Sequence, residues 1–238
     1  MVDDLLKVDN IHSYYGSAYI IQGISLSVRE GEAVALLGRN GTGKTTTLKS
    51  IMSLVPPRRG EILYNGEDIT GRPPYYVARK GLSMVPEGRH IFPALNVMEH
   101  LRVPVPGSET HRSILFRRVF DIFPELEEKK SQHASALSGG QQQMLVIGRA
   151  LMTDPKLLLL DEPMEGLAPK AVMRVIESLK AIHAQGITIL FASADLERAF
   201  SIAKRAYILE KGKVVFDLTE EHVPQSLEIQ RKYLGVRE

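Results

Sequence analysis

The chain has 238 residues, 44% of them apolar and 24% charged, which is the profile of a globular protein with ample chain to bury a core. Its formal net charge of +2 is too small to argue for a nucleic-acid partner, and the absence of cysteine excludes disulfides and thiolate metal sites. The opening MVDDLLKVDN lacks a basic-then-apolar signal pattern, and no stretch approaches the ~18 apolar residues of a membrane span, so any membrane role is expected to come through a partner.

Residues 5–9 and 24–29 alternate apolar and polar, the period of half-buried strands. Residues 33–37 (AVALL) are continuously apolar, as in a strand covered on both faces of a parallel sheet. A glycine-rich break at 38–43 follows, and helical periodicity resumes over 44–54 until Pro56-Pro57. The stretch 60–66 reads as strand and turn. From about 97 to 132 the pattern becomes helical and polar-faced, an inserted helical region between two sheet-like halves. Beyond it, helices are expected at 141–152, 171–185 and 196–204, and buried strands at 157–160 and 187–192. Residues 207–209 and 214–216 form a closing hairpin around 210–213. Strands alternating with helices predict an α/β parallel sheet.

The chemistry begins at Gly38-Arg39-Asn40-Gly41-Thr42-Gly43-Lys44-Thr45, which fits G-x-x-x-x-G-K-[ST] between a buried strand and a helix. Glycines let backbone N–H groups turn inward, and the helix start adds unpaired N–H groups and a positive dipole end. In that arrangement Lys44 neutralises the β- and γ-phosphates and the Thr45 hydroxyl holds Mg²⁺. The pattern indicates a nucleoside triphosphate without separating ATPase from GTPase or small-molecule kinase. Leu137-Ser138-Gly139-Gly140-Gln141 opens a second helix, with Ser138 as a natural N-cap and two glycines leaving the first amides uncovered. The apolar strand 157–160 ends in Asp161-Glu162; Asp161 suits support of Mg²⁺, and Glu162 suits polarising an attacking water.

With these three motifs in order, nearly the whole chain resembles the ABC transporter ATPases, whose LSGGQ signature stands here at 137–141. The closer likeness is to the second ATPase subunit of branched-chain amino acid importers, in the hydrophobic amino acid and amide uptake group. It is carried by GRNGTGKTTTLKSIMSLVPPRRGEI (38–62), DITGRPP (68–74), MVPEGRHIFPALNVMEHL (84–101), LSGGQQQMLVIGRALM (137–152), EPMEGLAP (162–169) and YLG (233–235). The resemblance implies a P-loop ABC core with a mostly parallel sheet and an N-terminal antiparallel β subdomain (1–87 and 141–238), and an inserted helical subdomain at about 88–140, all in one ABC ATPase domain. It implies ATP and Mg²⁺ as ligands, with Thr46 completing the phosphate loop and Tyr15 stacking on adenine, Tyr14 being the competing residue. Glu87 stands where most of the family has a glutamine that contacts Mg²⁺ and senses the membrane subunit; the branched-chain group shares the glutamate. Ser138, Gly139, Gly140 and Gln141 of one subunit are implied to cover the γ-phosphate on a second ATPase subunit, in a homo- or heterodimer. Transmembrane permease subunits are implied as partners, a solute-binding protein as an indirect one, and a place on the inner face of the cell membrane.

Two departures stand out. Ala168 replaces the wider family's aspartate, as it does in the branched-chain group. Ala194 stands where the wider family has histidine and the branched-chain group usually glutamine, so one preorganised donor is missing, with Ser193 as a substitute candidate. That gap motivates an alternative reading: an ATP-sandwich binding module with weak hydrolysis. Urea, amides and aromatic acids stay open as cargo. The seven histidines show no ligand spacing. Arg112, Arg117 and Arg118 read as a solvated face or a border with the membrane subunit.

Overall fold

The computed structural model describes residues 4–104 and 108–219. In chain order the elements are β1 (Asp4–Tyr15), β2 (Ala18–Arg29), β3 (Ala33–Leu37), α1 (Lys44–Ile51), β4 (Arg59–Tyr64), β5 (Glu67–Asp68), α2 (Pro74–Arg79) and β6 (Leu82–Val85). Then follow α3 (Val97–Arg102), α4 (Glu109–Ile122), α5 (Pro124–Glu128), a 3-10 turn at Ala134–Ala136, α6 (Gly139–Leu151), β7 (Leu157–Asp161), α7 (Pro169–Ala184), β8 (Thr188–Ser193), α8 (Leu196–Phe200), β9 (Arg205–Glu210) and β10 (Lys213–Thr219). The expected YLG segment lies outside the described residues.

Two sheets form. The antiparallel one runs β2-β1-β4-β5, and the other runs β10-β9-β3-β8-β7-β6, parallel except for β10 at its edge. The alternation at 5–9 and 24–29 marks only the outer ends of a longer hairpin. Bulges between Val8 and Ile11 and again beyond Ile11 shift the register and hide the period over the middle of β1. The expected hairpin at the chain's far end forms, and β9 also pairs in parallel with β3, which extends the main sheet.

The five residues of β3, the five of β7 and the six of β8 are all buried, because each strand faces a separate core on each side. Val34, Leu36, Leu157, Leu159 and Leu190 pack with Leu6, Val8, Ile21 and Ile24 of the antiparallel sheet and with Leu48 of α1. Ala35, Leu37, Leu158, Leu160 and Phe191 face the other way, onto α6 and α7, where Leu101, Val119, Phe123 and Leu126 of the helical region join the same core. The helical region is therefore fastened to the parallel sheet through shared apolar burial. Arg118 adds a polar tie, reaching Asp154 at 2.9 Å and Gln185 at 2.8 Å; it is not simply a solvated residue.

Four helices are shorter or displaced relative to the periodicity, among them α7, which begins at Pro169 rather than 171. α1 stops at Ile51 because Ser53 turns left-handed and the amides of Leu54 and Val55 fold back onto the Lys49 carbonyl. α6 begins at Gly139 rather than 141, since Ser138 is its cap. α8 ends at Phe200, where the Ser201 hydroxyl donates to the Arg198 carbonyl.

The carboxyl ends of β3, β6, β7 and β8 emerge at one edge of the parallel sheet. In an open α/β sheet that edge is where ligands bind. It carries Gly38, Glu87, Asp161-Glu162 and Ala194.

Candidate nucleotide site

The loop after β3 is held tightly from outside. A Cβ on Gly38 would meet the Leu209 carbonyl oxygen at 2.7 Å and Thr42 Oγ1 at 2.5 Å, so only glycine lets the chain turn here against β9. The Thr42 hydroxyl donates to the Arg39 carbonyl and closes the turn. α1 then starts with Gly43 at its N-cap and no side-chain cap, so its first-turn amides keep their donors free. The Lys44 ammonium, 5% exposed, donates to the Gly38 carbonyl at 2.6 Å and the Arg39 carbonyl at 3.3 Å. It also lies 3.0 Å from Glu162 Oε1, an approach too oblique for a hydrogen bond but close enough to pair the charges. A cation buried against two loop carbonyls, with one carboxylate beside it, is poised for an anion.

At the end of β7, Asp161 accepts a hydrogen bond on Oδ1 from the Thr45 hydroxyl at 3.0 Å, while its buried Oδ2 has no partner. Burial pushes the Asp161 carboxyl up to about 6; the Thr45 hydroxyl opposes this, and Glu87 and Glu162 add to it. Glu162 follows with φ +45°, a left-handed conformation that a non-glycine residue holds only where its surroundings impose it. An orphaned carboxylate oxygen beside a hydroxyl and a second acid fits a hard divalent cation. Among the described residues no cluster of three histidine, cysteine or acidic groups could hold a metal. The Thr45 hydroxyl and the unpartnered Asp161 Oδ2 fit a Mg²⁺ ion that takes one or two protein oxygens together with phosphates.

A cleft of about 370 Å³ is lined by Tyr15, Asn40, Gly41, Gly43, Lys44, Thr45, Thr46, Glu87 and Glu162, with Ile20 and Glu165. Tyr15 is 46% exposed on its rim. Tyr14 is engaged elsewhere, stacked on Tyr19 at 4.6 Å and with the Arg58 guanidinium 4.5 Å from its ring centroid, so of the two candidates Tyr15 faces the cleft. Gly38, Arg39 and Thr42 shape the loop without lining that cleft. A larger cavity of about 700 Å³, between α5 and α7, contains none of the sequence-predicted site residues.

Ser138 caps α6 in a reciprocal box. Its hydroxyl accepts from the Gln141 amide at 3.4 Å, and the Gln141 side-chain oxygen accepts from the Ser138 amide at 3.0 Å. The amides of Gly139 and Gly140 have no acceptor within the described residues. A Cβ on Gly140 would sit 2.6 Å from that of Ala171, so α6 and α7 approach closely here. None of residues 138–141 lines the cleft around Lys44.

Sequence reasoning missed two residues. Glu165 borders the Lys44 cleft and both neighbouring ones, and its only signal was membership of the 162–169 run. Arg89 lies beside Glu87 in a cavity of about 270 Å³ with Gln143, Asp161 and Glu162. Ala194 is exposed and lines a 250 Å³ cavity with Asn40 and Glu162. The Ser193 hydroxyl, named as its substitute, is instead occupied in a local turn, accepting from the Asp195 amide at 3.1 Å and donating to the Asp195 carbonyl at 3.2 Å.

A family model described as ABC transporter matches residues 21–165. The chain is 38% identical over 234 residues to the high-affinity branched-chain amino acid transport ATP-binding protein BraG of Pseudomonas aeruginosa, covering 97% of this chain and 100% of that one. It is 30% identical over 234 residues to the lipopolysaccharide export system ATP-binding protein LptB of Escherichia coli K12, with 97% of each chain covered. Among solved structures, the ADP conformation of MJ1267, an ATP-binding cassette of an ABC transporter, matches with a TM-score of 0.84 at 25% identity over 96% of both chains.

Proposed function

The chain belongs to the ABC transporter ATP-binding family and is an ATPase, and from that premise we propose that it powers uptake of branched-chain or related amino acids through separate membrane subunits. The observation that carries the cargo is the likeness to BraG, which covers 97% of this chain and 100% of that one at higher identity than the likeness to LptB. No helix among the described residues is long and apolar enough to cross a membrane.

ATP enters the cleft with adenine against Tyr15 and its phosphates on the free amides of the Gly38–Thr45 loop and of α1. The Lys44 ammonium exchanges the Gly38 carbonyl for phosphate oxygens and so leaves Glu162. The Glu162 carboxylate then orients a water in line with the γ-phosphate. Thr45 and Asp161, with Glu87 nearby, would hold Mg²⁺, which when bound would neutralise charge on the phosphates. The free amides of Gly139 and Gly140 lie outside this cleft, so they serve a nucleotide on a second ATPase chain, and two chains enclose two nucleotides. Hydrolysis reopens that pair and passes motion to the permeases through the loop of Glu87.

Deleting the gene from its own host tests the cargo. Uptake of labelled leucine, isoleucine and valine is expected to fall while urea, amide and aromatic acid uptake persists. Undiminished leucine uptake in the deletion strain overturns the assignment.

A further inference from the structure

The loop that carries Glu87 is laid along α6 and fastened to it at two points. At its start, the Arg89 guanidinium lies flat on Gly139: a Cβ there would meet Nη1 at 2.9 Å and Cζ at 3.2 Å. The same guanidinium donates from Nη2 to the Gly166 carbonyl at 3.3 Å, in the turn that follows Glu162. Farther along the loop, Arg149 of α6 donates to the His90 carbonyl at 3.1 Å and sits over the Phe92 ring at 5.0 Å. Buried His100 accepts from the Phe92 amide at 2.7 Å, and burial holds its imidazole neutral, down at about 4.

Gly88, Arg89 and His90 are three consecutive residues at positive φ, +88°, +64° and +40°. Two of them are not glycine, and such a conformation persists only where surrounding contacts over-determine it. Among the described residues Arg89 has no carboxylate partner; its contacts are the Gly166 carbonyl and the surface of Gly139. The guanidinium thus joins three segments that the proposed cycle needs: the Glu87 loop, the turn after Glu162 and the first turn of α6.

We propose that Arg89 is a positioning residue that locks the start of α6 and the Gly166 turn to the Glu87 loop, so that the surface presented to a second chain's nucleotide moves with that loop. A planar fork does this because it can cover a glycine with its face and donate along its edge; a lysine ammonium cannot do both. The inference rests on the two-chain reading above, and its test separates the two.

In a Glu162→Gln background, where bound ATP persists, ATP-driven dimerisation is followed by light scattering across an ATP titration, and ATP affinity of the monomer by a fluorescent analogue at chain concentrations too low to dimerise. Glu162→Gln alone is expected to dimerise. Adding Arg89→Ala raises the ATP concentration at half-dimerisation at least tenfold, Arg89→Lys does not restore it, and monomer affinity changes less than twofold for both. Unchanged dimerisation in Arg89→Ala, or full rescue by Arg89→Lys, overturns the positioning role while the two-chain reading stands. A Glu162→Gln chain that stays monomeric in saturating ATP overturns the pairing of two copies of this chain and, with it, this inference.

Discussion

The loop around Lys44 and the helix start at Ser138 both leave glycine amides without an acceptor among the described residues, yet they reach that state by opposite routes. The cradle is built from unmet demands. α1 is uncapped, Lys44 is buried among carbonyls, Asp161 Oδ2 has no partner, and Glu162 is left-handed. The start of α6 is satisfied within itself by the Ser138–Gln141 box and by close packing on Ala171, leaving only two amides open. Under the proposed function, the contrast teaches that a half assigned to chemistry stores unfavourable interactions for a ligand to relieve, whereas a half assigned to a neighbour's site can be stable on its own.

Three substitutions sharpen or break that contrast. The largest effect is expected at Ala194, whose side chain carries no donor and lines a cavity beside Glu162. Ala194→His is expected to raise the single-turnover rate of phosphate release by about 10²-fold, the low end of what one preorganised donor contributes. A variant no faster than the parent shows that the cradle is already complete.

Asp161→Asn comes next and separates the halves by sign. The folded-state carboxyl sits at about 6, above its ordinary 3.8, so folding favours its protonated form. Its contribution is fully present below pH 3.8 and is lost as pH rises through 6. At pH 7.5, without nucleotide or divalent cation, the asparagine variant is therefore expected to be more stable by about 2–3 kcal/mol in urea denaturation, with the advantage vanishing near pH 4. The same variant loses the stabilisation that Mg-ATP gives the parent. Equal or lower stability at pH 7.5 removes the claim that Asp161 is held at a cost.

The smallest effect belongs to the satisfied half. Ser138→Ala removes a cap and is expected to destabilise the nucleotide-free chain by about 1 kcal/mol, shifting its urea midpoint down with an unchanged slope. No shift would place the two helix starts on the same footing.

How much of this was legible depended on how local the cause was. Strand β3 was read to the residue, and β7 and β8 to within one, because continuous apolar runs bounded by turn signals admit few alternatives. The middle of the β1–β2 hairpin was missed because bulges break the period there, and α2 left no signal strong enough to read. The glycines of both anion sites are visible as spacing. Whether Tyr14 or Tyr15 faces the cleft is not, since it depends on Tyr19 and Arg58 arriving from elsewhere in the chain. Ser193 looked free in the sequence and proved to be engaged with its own turn.

From residue order alone came the α/β class, the phosphate loop, the capped second helix and the acids at a strand end, because each is set by neighbours within about a dozen positions. Folding alone decided that β3, β6, β7 and β8 deliver those pieces to one edge, that Asp161 lies deep enough to hold its proton more tightly, and that Arg89 reaches Gly139 and Gly166. These last facts depend on distances between segments tens of residues apart, and such distances exist only once two apolar cores have closed on either face of the parallel sheet.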